Sequence, residues 1–133
     1  MDAKKLLVSA VSAMNKAYAP YSHFKVGAAL LCGSGKVYTG CNIENASYSV
    51  TVCAERVALF EAIKCGEREF KGMCIIGGKN GNINTFCYPC GVCRQALSEF
   101  CNGEFEILLY NGSEFRSVML ENLIPHSFGG KLL

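Results

Sequence analysis

The chain has no run of lysines or arginines. Its 13 basic residues are scattered among 11 acidic ones, for a formal charge of +2. Without a basic stripe to follow a phosphate backbone, no nucleic-acid polymer is expected as a partner. Long apolar runs are missing as well. The longest, around Val26 to Leu31, falls far short of the ~20 residues that span a bilayer, so no membrane partner is expected either. Repeats, low-complexity tracts and linkers are also lacking. Residues 1–133 therefore read as one domain, within the ~100–150 residues at which domains cluster. A hydrophobic content of 50% excludes a disordered chain and supplies one core. Near the N-terminus, Lys4-Lys5 before Leu6-Leu7-Val8 imitates a secretory leader, but Ser9 and Ser12 interrupt the apolar stretch. Asp2 is a good helix cap, and Leu6, Leu7, Ala10, Met14, Ala17 and Tyr18 recur at helical spacing, so an amphipathic helix is expected.

What the sequence has in quantity is cysteine: Cys32, Cys41, Cys53, Cys65, Cys74, Cys87, Cys90, Cys93 and Cys101. Nine is an odd number, and without a convincing secretory signal it argues for reduced thiols in the cytoplasm. Free cysteine behaves as a small buried hydrophobe, so Cys32, Cys41, Cys65, Cys74 and Cys101 are expected in the core, strands or turns.

The pattern along the chain predicts α-β-β-α-β-α-β-β-α. Strands are expected over Lys25–Leu31 and Lys36–Cys41 around Gly33-Ser34-Gly35, over Gly72–Ile76, and over Phe105–Tyr110 and Phe115–Met119 around Asn111-Gly112. Helices are expected over Cys53–Lys64 and Cys90–Phe100, with Pro89 at the entrance to the second, and Asn80–Tyr88 reads as a loop. A last short helix is expected over Glu121–Phe128, interrupted by Pro125. The fold class that follows is α/β, a three-layer α-β-α arrangement with a mixed five-stranded sheet.

Two segments carry chemistry. Cys53-Ala54-Glu55 opens one expected helix, and Pro89-Cys90-Gly91-Val92-Cys93 opens another. Cys90 and Cys93, at i and i+3 on a first helical turn, can converge on one metal, with Cys53 as a third ligand. Three protein ligands on zinc leave a fourth position for water, the pattern of a catalytic site. Zinc makes that water acidic enough to act near neutral pH. Glu55, two residues from a ligand, is placed to move protons as a general acid–base. Three thiolates outweigh a divalent cation, and two features offset the excess charge. Helix N-termini favour negative charge, and Arg56 and Arg94 are expected to hydrogen-bond the sulfurs. The competing readings are a closed structural zinc knot and a redox pair at Cys90 and Cys93; the redox pair leaves Cys53 and Glu55 without a role.

These residues resemble the small homotetrameric zinc-dependent cytidine deaminases of the three-cysteine type. The resemblance covers almost the whole chain, through 17–22, 24–29, 40–46, 53–56, 89–95 and 123–128. It implies one Zn2+ per chain and hydrolytic deamination of cytidine and deoxycytidine in pyrimidine salvage. It further implies that Asn42 and Glu44 bind the ribose 3′-hydroxyl, that Phe24 packs against the pyrimidine, and that Ala54 and Glu55 read the base. Ala46, Tyr48 and Phe128 are implied to reach neighbouring active sites in a homotetramer. The sequence departs from the family at 77–88, which is longer than expected. There Phe86-Cys87-Tyr88 replaces a short Ser-like approach, and Cys87 forms a second C-x-x-C with Cys90. Cys87 precedes Pro89, outside the helix, and is not expected to be a ligand.

Overall fold

The computed structural model describes all 133 residues. Asp2 caps the first helix, α1 (Ala3–Met14), its side chain accepting from the Lys5 amide at 3.2 Å. The helix buries Leu6, Ala10, Ala13 and Met14, the stripe expected at helical spacing. It stops at Asn15, earlier than that stripe suggested. Tyr18 is instead extended, its amide donating to Asn42 O and its carbonyl accepting from the Glu44 amide.

Five strands form one sheet in the order β2-β1-β3-β4-β5. They are β1 (Phe24–Cys32), β2 (Val37–Cys41), β3 (Phe70–Lys79), β4 (Glu106–Tyr110) and β5 (Phe115–Met119). All neighbours are antiparallel except β3 and β4, which run parallel. A parallel pair needs a crossover, and α3 (Gly91–Phe100) provides it. The expected strand Gly72–Ile76 is twice as long in the structure, because β1 offers pairing partners along its whole length, from Phe24 opposite Lys79 to Cys32 opposite Phe70.

Side chains alternate across the sheet, as strands require. Ala28, Leu30 and Cys32 face α2 (Ala54–Lys64) and α3, in a core completed by Ala58, Leu59, Met73, Ile75, Leu97, Phe105, Ile107 and Leu109. Ala29, Cys74, Ile76 and Leu108 face α1 from the other side. The result is the expected three layers around a mixed sheet. The last expected helix does not form. After a single 3-10 turn at Leu120–Asn122 the chain continues as turns and loop past Pro125. Proline has no N–H to extend a helix, and the Leu123 carbonyl accepts instead from the Arg94 side chain at 2.8 Å.

Candidate metal and nucleoside site

The site lies where α2 and α3 begin. Cys53 caps α2 and Cys90 caps α3, both with extended backbone, while Cys93 sits one turn into α3 and is buried. The three sulfurs lie within 4.8 Å of one another, and Cys53 Sγ and Cys90 Sγ are 3.6 Å apart. Zinc–sulfur bonds of ~2.3 Å in a tetrahedron separate two sulfurs by ~3.8 Å. The Cys53–Cys90 separation matches that spacing, and the three sulfurs are close enough together to share one zinc. Cys87 is not part of the cluster, in accord with its position before Pro89.

Arg56 Nη2 donates to Cys53 Sγ at 3.5 Å. Its buried Nε has no hydrogen-bond partner, so the bond to Cys53 Sγ is the guanidinium's link to the sulfur cluster. Hydrogen bonds from Cys93 and Arg56 hold the Cys53 thiol well below its ordinary value against the opposing effect of burial. Arg94 departs from expectation. Its Nε donates to Pro89 O at 2.7 Å and its Nη1 to Leu123 O, so it ties the entrance of α3 to the C-terminal segment and does not reach a sulfur. The backbone of Pro89, directly before Cys90, offers nearer acceptors than the thiolates do.

Glu55 is buried at 4% exposure in the first turn of α2. Burial, reinforced by the charge of Cys53, pushes its carboxyl up to about 7. A carboxyl near neutrality can both take and give a proton. Ala54, beside it, is fully buried. A cavity of about 160 Å³ opens over Cys53, Glu55 and Cys90, walled by Val26, Asn42 and Cys87. It meets at Thr51 a wider depression of about 370 Å³ that Glu44, Ser22, Tyr21 and Tyr48 line.

The residues expected at the sugar end are held by the backbone. Asn42 Oδ1 accepts from the Val26 amide and Nδ2 donates to Phe24 O, both at 2.8 Å, so the amide clips onto the edge of β1 with one hydrogen and one lone pair left over. The Glu44 carboxylate accepts from the amides of Tyr21 and Ser22 and from the Ser22 hydroxyl. The hydroxyl bond holds it below its ordinary value. Ser22 is thus a part of the site to which the sequence reading assigned no role. Phe24 is half-buried beside Gly77. Ala46, Tyr48 and Phe128 lie outside the cluster and are exposed, Tyr48 at 78% and Phe128 at 59%.

An incomplete thiolate set beside a buried carboxylate, at the floor of a cavity, is the arrangement of a zinc-dependent hydrolytic enzyme. Residues 1–108 match the family model described as the cytidine and deoxycytidylate deaminase zinc-binding region, and the chain belongs to that family. It is 43% identical to a cytidine deaminase of Sporosarcina psychrophila over 129 residues, covering 96% of this chain and 92% of the relative. A cytidine deaminase of Halalkalibacterium halodurans is 40% identical over the same length, with coverage of 96% and 95%. The crystal structure of cytidine deaminase from Burkholderia pseudomallei superposes with a TM-score of 0.88 at 43% identity, over 96% of this chain and all of that one.

Proposed function

We propose that the protein deaminates cytidine and deoxycytidine to uridine and deoxyuridine with release of ammonia, using one zinc held by Cys53, Cys90 and Cys93. The observation that carries this reading is the buried Glu55 beside the sulfur triad, at the floor of a cavity of about 160 Å³. A dry cavity of about 150 Å³ holds a benzene ring, so a pyrimidine is the size of ligand it suits. Bound zinc supplies the Lewis acidity that makes water a nucleophile near neutral pH.

The chain's own residues do the rest. Asn42 and Glu44 bind the sugar 3′-hydroxyl, which directs the base toward the sulfur end, and Phe24 flanks the ring. Glu55 takes a proton from the attacking water and passes it to ring N3 as oxygen bonds to C4. It then carries the second proton to the exocyclic nitrogen, and the C4–N bond breaks with loss of ammonia. Arg56 moderates the negative charge of the triad by its bond to Cys53. The enzyme acts in pyrimidine salvage in the cytoplasm, a compartment that suits nine unpaired thiols. It works as a homotetramer in which Ala46, Tyr48 and Phe128 complete neighbouring sites. Exposed apolar side chains, Ile43, Tyr48, Val50, Val92 and Phe128, support an assembly larger than one chain.

The test is an ultraviolet deamination assay on both nucleosides with zinc quantified per chain. Turnover of both with about one zinc per chain is expected. Purified, zinc-loaded protein that leaves both nucleosides unchanged overturns the reading.

A further inference from the structure

The segment before Cys90 and Cys93, where the sequence reading expected a departure from the family it resembles, has an anchor in the structure. Arg116, on β5, touches two of its residues at once. Its Nη1 donates to the Tyr88 hydroxyl at 2.8 Å, and its guanidinium carbon lies 4.0 Å from the centre of the Phe86 ring. Phe86 and Tyr88 are separated by one residue. The residue between them is Cys87, so Arg116 holds the chain on both sides of Cys87.

Two observations place the Cys87 sulfur in the base cavity. Cys87 walls the cavity over Cys53, Glu55 and Cys90. A Cβ built on Gly77 would fall 2.9 Å from the Phe24 ring and 3.0 Å from Cys87 Sγ, so the sulfur and that ring approach the same point of β3. Burial, with a smaller effect from the charges of Glu55 and Cys53, pushes the thiol up to about 12, which keeps it protonated. Cys87 is neither a member of the sulfur triad nor used in the reaction proposed above, yet it faces the volume that the base must fill.

We propose that Cys87 is a specificity-determining residue of the base cavity, setting how large a base the enzyme accepts, and that Arg116 is the positioning residue that holds it there. The inference rests on the deaminase reading of the same site. The cavity, about 160 Å³, is of the size of one six-membered ring, so a change of one or two heavy atoms at position 87 alters the fit of a methyl group that the base carries toward it. In a tight apolar pocket, one methylene changes kcat/KM by about 10–200-fold.

The experiment compares kcat/KM for cytidine, 5-methylcytidine and N4-methylcytidine in zinc-loaded wild type and variants, each methylated base expressed as a ratio to cytidine. Cys87→Ile is expected to lower at least one ratio about tenfold or more, and Cys87→Ala to raise the same ratio. Arg116→Gln, which loses the cationic contact with Phe86, is expected to move that ratio in the direction of Cys87→Ala. Arg116→Lys, which keeps a cation and a donor, is expected to restore it in part. A merely structural role for Arg116 would lower the melting temperature and depress all three substrates alike, leaving the ratios fixed. Should Arg116→Gln fail to fold, Tyr88→Phe removes only the hydroxyl that Arg116 holds, at a residue that also lines the cavity, and is expected to move the ratio in the same direction. Ratios that stay within twofold of wild type in every Cys87 variant overturn the proposal while cytidine turnover stands. A wild-type protein inactive on cytidine overturns the deaminase reading, and this inference with it.

Discussion

In the proposed reaction Glu55 combines two demands that ordinarily conflict, since it must be shielded from water and still change its charge. Its raised carboxyl shows how the first demand serves the second. Folded, it holds a proton up to a pH of about 7, whereas an exposed glutamate gives it up near 4.5. Between those values the folded state binds more protons than the unfolded one, so its contribution to stability falls as pH rises through that window and stays low above it. Glu55→Gln removes the titration. Thermal melts of metal-free protein at pH 5 and pH 8 should show the variant gaining on wild type at the higher pH. The same variant should keep its zinc and its fold while kcat falls by about 10²–10⁴, because an amide cannot carry a proton between water and base. Turnover close to wild type in zinc-loaded Glu55→Gln would assign the proton transfers to another group.

The helix α2 owes its position to a residue with no side chain. A Cβ on Gly40 of β2 would fall 2.3 Å from Ala54 O and 2.6 Å from the Ala58 amide nitrogen, inside the first turns of α2. Those turns hold Cys53 and Glu55, so the strand sets the depth of the site. Gly40→Ala should cost about 1–3 kcal/mol or more, as overpacking against backbone does. It should also lower zinc content, because the displaced turn carries a ligand. Unchanged zinc stoichiometry together with a lowered melting temperature would separate the strand contact from the site. At this scale much was legible in the chain. Periodicity and caps gave α2 and α3 close to their limits and the start of α1, whose end fell short of Tyr18, and Gly33-Ser34-Gly35 and Asn111-Gly112 marked the hairpins. The triad was legible too, since helix caps at fixed spacing leave few ways to arrange three sulfurs. The full length of β3 was not. Gly77 and Gly78 have low strand propensity, and only the long partner β1 makes them a strand. Arg94 was misread because adjacency in sequence does not tell a guanidinium which of several acceptors is nearer. The C-terminal segment looked helical by composition, but Pro125 and the capture of the Leu123 carbonyl decide against it.

For the whole molecule the open question is what covers the apolar rim. Tyr48 and Phe128 present most of their surface to solvent in the single chain, and Tyr21 meets Tyr48 edge-on with ring centres 6.4 Å apart. In the proposed tetramer these rings close pockets that one chain leaves open. Phe128→Ala should then raise KM for cytidine several-fold, although within one chain the Phe128 side chain is exposed and its carbonyl accepts from Gln95 at 3.4 Å. Sedimentation in the presence of nucleoside checks the assembly directly. A fully active species with the mass of one chain, 14.4 kDa, would overturn it.

The position of the sulfurs also bears on how the protein comes apart. Cys53 and Cys90 are 37 positions distant, with α2, β3 and the 80–88 loop strung between them. An ion gripped by both closes that stretch into a ring, and the chain-entropy estimate for a ring of this size is about 4 kcal/mol taken from the freedom of the unfolded chain. Chelation is then equivalent to cutting a fastener, and its first symptom should be mechanical. A protease added after chelator should nick the exposed residues between Asn80 and Tyr88 sooner than it nicks the zinc-loaded protein. Equal rates of cleavage with and without metal would mean that the packing of α2 and α3 against the sheet already suffices to hold the two ends together.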